Sequence, residues 1–490
     1  MNAFRKSALT ATVVGTLALT GCLSGGGGGN DEKEEVLRQQ QVRINNNFFV
    51  VDEGQLPFGA LADVPLYNNT SRWSGVLDGA GYRIEVPENW NGHLVMYAHG
   101  YRGTGSTLTV DNPPMRKYLL DNGFAWAASS YSTNYYDVRA GVEDTNALAL
   151  AFNAIAEENG RTLPAPSKYY ITGFSLGGHV TAAAIEQETK DTANNVVDYV
   201  GAAPFCGVVG DAELFNYFAG YTIALSAFAG IPVETFPLSE TEAAERLAAA
   251  RSTLWTDFAN DQSADGLTAQ GQLLFQTLKN LSGGERPIYR EAFEEFQLLL
   301  QSFAGSDGTV DGILLDNIVD TTGLTYRFET ELGEPLSNDE INFNSAIAQA
   351  EADPEANGPR DDGLRWVPRI NGEFDIPVVS AHTTGDLFVP FLMEQVYRER
   401  TIASGNDEWL VQRAIRSPGH CQFTLDEIDA TFDAMIQWEQ QNIVPTGEND
   451  DILDPEKVAD PAFGCTYTID GPVSGSDPFI RFDLPPCNPT

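Results

Sequence analysis

The chain has 490 residues, 42% of them hydrophobic and 10% aromatic, which is enough apolar mass for a large core and unlike a disordered composition. With 69 acidic against 29 basic residues the net charge is −40, so a nucleic-acid backbone would be repelled and nucleic-acid binding is excluded as a function. The acidity reads as solubility rather than as an acid-specific function.

Arg5 and Lys6 precede an apolar run, ALTATVVGTLALTG, that ends at Cys22. This is the pattern of a signal peptide over 1–21, too short for a membrane span. Leu19 to Cys22, LTGC, resembles the bacterial lipobox, which implies that Cys22 becomes the lipidated first residue. Five consecutive glycines at 25–29 and the acidic NDEKEE after them fit a flexible, solvated tether over 22–43. Leu23, not Asp, follows the Cys, and by the same resemblance the expected location is the outer membrane. Contact with a membrane is expected through this anchor alone.

Export favours disulfides. Cys465 and Cys487 bracket a short Pro- and Gly-rich stretch within the C-terminal extension, 446–490, and are expected to pair, which leaves Cys206 for Cys421. With no CxxC and five His, a metal site is not expected, nor is an organic cofactor.

After the tether, apolar runs alternate with helical patterns: YRIEVPE, HLVMYAHG, FAWAASSY, the helix VEDTNALALAFNAIAEE, then KYYITGFS, the helix GHVTAAAIEQE, and VDYVGAAPF. That alternation argues for an α/β fold with a mostly parallel sheet. From 207 to 372 it stops. Ser239 and Glu242 have capping-box spacing, and REAFEEFQLLLQSFA has helical periodicity, so this segment reads as a mainly helical cap inserted between the sixth and seventh core strands. DIPVVSAHTTGD, EWLVQRAIRSPGH and a last helix, LDEIDATFDAMIQWEQQ, restore the sheet pattern over 373–445 and complete a core begun at 44–206.

Gly173-Phe174-Ser175-Leu176-Gly177 matches G-x-S-x-G where a strand hands over to a helix. A nucleophilic Ser needs a sharp, strained turn, and Gly on both sides lets backbone pack closely there. Such a Ser needs a His base oriented by a carboxylate, in the chain order Ser, acid, His. Of the five His, His93, His99 and His179 come too early and His382 lies within a strand pattern, which leaves His420 in the loop SPGHC. Asp386, in TTGDLFVP after an apolar strand, is the acid candidate; Asp375 and Asp407 precede strands. The N–H groups of Leu176 and of Tyr101, in YAHGYRGTG, are the candidate oxyanion donors, with His99 bracing that loop. Tyr131 and Tyr135 are candidates to line the site. GSDGTVDG does not match an EF-hand loop and reads as a solvated turn.

Together these residues resemble the α/β-hydrolase superfamily over Tyr82–Phe205 and Phe374–Gln441. His420-Cys421 is similar to the secreted tannase and feruloyl esterase group, which carries a Cys directly after the catalytic His and a large lid between Ser and acid. That group also has a Cys before the nucleophile, where this chain has Phe174. The resemblance implies a lipid-anchored serine esterase acting on a small-molecule or oligomeric ester. The alternatives are a serine peptidase on the same fold and a non-catalytic surface lipoprotein that binds a partner.

Overall fold

The computed structural model describes residues 37–61, 67, 69–303, 306–471, 484 and 487. The expected leader, Cys22 and the glycine run lie outside the described residues. Among the described residues there are ten strands: β1 (Val50–Val51), β2 (Ser71–Leu77), β3 (Ala80–Val86), β4 (His93–Ala98), β5 (Thr107–Leu108), β6 (Ala125–Ser129), β7 (Lys168–Phe174), β8 (Tyr199–Phe205), β9 (Val378–Thr383) and β10 (Leu410–Ile415). Eight form one sheet in the order β10-β9-β8-β7-β4-β6-β3-β2, and β1 pairs with β5 apart from it. From β10 to β6 every pairing is parallel; β3 runs antiparallel to both β6 and β2.

The parallel strands are near-continuous apolar runs because both faces are buried. Along β4, Leu94, Met96 and Ala98 join one core cluster and Val95 and Tyr97 the other. Helices α3 (Val138–Glu158), α4 (Leu176–Ile185) and α11 (Leu392–Ser404) cover the first face. The second is covered by α2 (Arg116–Asp121) and α12 (Leu425–Gln441). A capping box at Thr424 and Glu427 starts α12.

Between β8 and β9 lie α6 (Glu213–Phe228), α7 (Glu240–Leu254), α8 (Ala269–Leu281), α9 (Tyr289–Ser302) and α10 (Asn338–Ala346). The capping box expected from Ser239 and Glu242 is formed at the start of α7. After α10 the chain runs without helix or strand to β9. These helices bury aromatic residues into the same cluster as the sheet, and Arg38–Thr490 form one compact unit.

One boundary differs from expectation. The tether expected over 22–43 overlaps α1 (Gln39–Asn45), whose Gln40 is fully buried. The Gln40 amide donates to Asp137 Oδ2 at 2.9 Å, its backbone N–H donates to Gly312 O at 2.9 Å, and Arg38 lies over the Trp366 ring. A polar run was expected to stay solvated; long-range partners bind residues 38–43 to the folded body instead.

Candidate active site

Ser175 stands between β7 and α4 with φ 59° and ψ −121°, a conformation that a residue with a side chain enters only under strain. The surrounding glycines explain how the turn closes. A Cβ on Gly177 would lie 2.1 Å from Ala98 O, and one on Gly173 2.2 Å from Gly177 O. Ser175 N–H donates to Phe205 O at 3.0 Å, which fixes the turn to the end of β8.

Asp386 follows β9 and is fully buried. Its Oδ1 accepts the N–H groups of Phe388 and Val389 at 2.9 and 3.0 Å. Its Oδ2 lies 2.5 Å from His420 Nδ1, and His420 Nε2 lies 2.8 Å from Ser175 Oγ. The carboxylate must accept from Nδ1, so Nε2 is left to receive a proton from the hydroxyl. Residues 175, 386 and 420, far apart in sequence, thus meet as a continuous hydrogen-bonded line.

The Cys206–Cys421 disulfide adjoins this line. Phe174 pairs in register with Phe205, so Cys206 is the next residue along the neighbouring strand, opposite Ser175. Phe174, Phe205 and Phe423 pack together where a Cys before the serine would otherwise stand. The sulfurs of Cys206 and Cys421 lie within 4.8 Å of a His420 ring nitrogen, but they are bonded to each other and offer no thiolate to a metal. The second bridge joins Cys465 and Cys487.

Leu176 opens α4, and the N–H of a first helical residue has no acceptor within its own helix. The loop after β4 approaches from the other side: a Cβ on Gly100 would sit 3.9 Å from Ser175 Oγ, and Tyr101 comes next. His99 holds this loop, with its ring nitrogens 2.6 Å from Gly100 O and 3.0 Å from Ser130 O. Burial, helped by Arg102, lowers the His99 pKa to about 4 against the raising effect of the Gly100 and Ser130 carbonyls.

A cavity of about 580 Å³ opens over Ser175 and Leu176. Its wall includes Phe218 of α6, Phe303 after α9 and Phe388 after Asp386. Phe303 stacks on Phe388 at 5.5 Å and on Phe218 at 4.7 Å, and Phe388 meets the His420 ring edge-on at 5.1 Å. The ionisable side chains among its described lining residues are acids or phenols, with Glu240, Asp307 and Asp311 the acids. Asp307 and Asp311 belong to the segment expected as a solvated turn.

Tyr101 lines the cavity, but Tyr131 and Tyr135 do not. Tyr131 is buried, stacks on His99 at 4.0 Å and donates to His99 O, while Tyr135 lies under Arg43. Tyr136 lines the cavity instead, because Tyr131 and Tyr135 take positive φ and the chain turns between them. The aromatic wall escapes sequence reasoning, since its members come from three distant segments; the one local signal is Phe388, two residues past the acid.

Strand order, parallel core and a strained serine at the strand–helix turn define an α/β-hydrolase fold. No protein-family model matches the chain. Among curated proteins it is similar to the o-phthalyl amidase of Xanthobacter agilis, 23% identical over 427 residues that span 76% of this chain and 88% of the amidase. Among solved structures it is similar to feruloyl esterase B from Aspergillus oryzae, at 13% identity and a TM-score of 0.42, covering 80% of this chain and 86% of the esterase. Tannin acyl hydrolase from Aspergillus niger aligns at 12% identity and a TM-score of 0.37, over 81% of this chain and 89% of that one.

Proposed function

We propose that the chain is a serine hydrolase that cleaves carboxylic esters through an acyl-enzyme on Ser175. The observation that carries this reading is the line from Asp386 through His420 to Ser175, at 2.5 and 2.8 Å, ending in a cavity. Ser175 Oγ attacks the acyl carbon while His420 Nε2 takes its proton. Asp386 keeps the His420 ring in the right tautomer and stabilises its charged form. The N–H groups of Leu176 and Tyr101 receive the developing oxyanion. His420 then protonates the leaving group, and a water activated by the same imidazole releases the acid.

The phenylalanine wall suits a bulky, neutral acyl or alcohol portion, in a small ester or an oligomer. Amide hydrolysis is the second reading. It is favoured by the named amidase relative and by Asp307 and Asp311, whose carboxylates suit a substrate amine. The leader and the lipobox-like Leu19 to Cys22 support export and anchoring through Cys22 in the outer membrane, and the disulfides suit an oxidising compartment. No helix among the described residues is long and apolar enough to cross a membrane.

The test is hydrolysis of p-nitrophenyl esters from acetate to long acyl chains, with matched p-nitroanilides, by the parent and by Ser175→Ala. Ester turnover that disappears in the variant is the expected result. Turnover that persists in Ser175→Ala overturns the assignment, and anilides cleaved faster than esters would select the amidase reading.

A further inference from the structure

Behind the Asp386 turn lies a second buried histidine that the mechanism above does not use. His382 sits on β9 with its side chain fully enclosed. Its Nε2 lies 2.8 Å from Val389 O. A carbonyl can only accept, so Nε2 carries a hydrogen. Its Nδ1 faces Glu394 Oε1 of α11 at 3.5 Å, and Nε2 is 3.8 Å from Asp386 Oδ2. Nε2 thus donates to a carbonyl, while Nδ1, which has no hydrogen-bond partner, has the Glu394 carboxylate as its polar neighbour. With Nδ1 unprotonated, its lone pair would lie beside a carboxylate in a buried site, an arrangement with a high electrostatic cost.

Both oxygens of Glu394 have polar neighbours. Its Oε1 accepts the Ser380 hydroxyl at 2.5 Å, and its Oε2 accepts the Gln412 amide at 2.5 Å. Glu394 and Asp386 are thus two enclosed carboxyl groups either side of one imidazole. The nearby buried cation, Arg286 from the segment between α8 and α9, spends its donors on the neutral oxygens of Thr384, Gly284 and Ser282. Tyr397 of α11 faces Glu394, and His420 meets the group only through Asp386.

We propose that His382 is held as an imidazolium bridging the Val389 carbonyl and the Glu394 carboxylate, and that it is a positioning residue for Asp386. It acts on the turn that matters: the Val389 whose carbonyl it holds donates its own N–H to Asp386 Oδ1. Fixing that residue fixes the angle at which Asp386 meets His420. Burial by itself would lower the His382 pKa; the nearby Glu394 carboxylate, the charge of Asp386 and the Val389 carbonyl outweigh it and leave the pKa raised. This role rests on the serine-hydrolase reading, whereas the protonation state does not.

The experiment is NMR of the full protein labelled with 15N-histidine, with the His382 signals assigned by their loss in His382→Gln, joined to ester kinetics. At pH 7.5 both ring nitrogens of His382 are expected to carry hydrogen. In Glu394→Gln the same ring is expected to become neutral, because burial is then opposed only by the Asp386 charge and the Val389 carbonyl. Both variants should lose kcat by about ten- to a hundredfold with KM nearly unchanged, the signature of a displaced catalytic group. The double variant should be no slower than the slower single one. A neutral His382 ring in the parent overturns the proposal whether or not any variant folds. A charged ring with unchanged kcat in His382→Gln overturns the positioning role. Loss of kcat only through a fall in folded protein, with Ser175 titrating fully per folded molecule, does the same. An inactive parent with a charged His382 would instead count against the serine-hydrolase reading.

Discussion

Removing the Cys206–Cys421 bridge in the variant Cys206→Ser/Cys421→Ser should injure catalysis and stability by separable amounts. The bridge spans 215 positions, so opening it enlarges the unfolded ensemble by a loop-entropy term of about 5 kcal/mol. For a folded body of this size, at about 2 cal/mol/K of unfolding entropy per residue, that corresponds to a fall in Tm of about 5 °C. The catalytic effect is local. Cys421 is the residue after His420, and Cys206 N–H donates to Ala381 O at 2.8 Å, so the bridge clamps the His loop to the sheet. Partial restraint survives its loss. Thr383 Oγ1 still donates to Gly419 O at 2.8 Å, and Gln422 Oε1 still accepts the Gly419 N–H at 3.1 Å. A loosened general base then predicts a kcat fall of about ten- to a hundredfold, with KM little changed. Calorimetry and p-nitrophenyl ester kinetics, performed well below the lowered Tm, separate the two effects. A variant with lower Tm and parental kcat would refute the clamp and leave the bridge a stabiliser only.

Truncating the aromatic wall in Phe388→Ala should raise KM for aromatic esters by about tenfold, with a smaller change for acetate, because the ring stacks on Phe303 as well as meeting His420. Equal losses on both substrates would show that the ring serves only the imidazole. A benzoyl ester should be cleaved at least about tenfold faster than its 2-carboxybenzoyl analogue, since the ionisable lining is acidic, and Asp307→Asn/Asp311→Asn should narrow the gap. Burial raises the pKa of Asp144, Glu186 and Glu448 to about 7 each. Unfolded carboxyls titrate near 4, so between about pH 4 and 7 the folded chain holds protons that unfolding would release. Stability therefore falls as pH rises through that window: Tm should be higher at pH 5.5 than at pH 8, with a shallower slope in Asp144→Asn, and a Tm that rises with pH would contradict this.

The parallel core was legible because strands buried on both faces read as unbroken apolar runs, as HLVMYA and KYYITGF do. Ser175 stood out for a related reason: the glycines around it have no alternative, since a Cβ at 173 or 177 would strike backbone. His420 and Asp386 followed from chain order, and the fold gathers both at Ser175. Other features were not legible. β2, SRWSGVL, lies on the sheet edge and mixes polar with apolar residues, so its pattern is weak. The cavity wall depends on contacts between residues 218, 303 and 388, which no local periodicity encodes. The burial of Gln40 and the polar group around His382 likewise arise from partners distant in sequence or on neighbouring strands, and only the folded chain reveals them.

The central claim is that Ser175 is a nucleophile activated by His420. Labelling with a fluorophosphonate probe, followed by peptide mass mapping of the parent and of His420→Ala, tests it most directly. The account predicts one stoichiometric adduct on the peptide containing Ser175 in the parent, and a labelling rate lower by several orders of magnitude in the variant. An unlabelled Ser175 in folded parent protein, or labelling at an equal rate without His420, would contradict it.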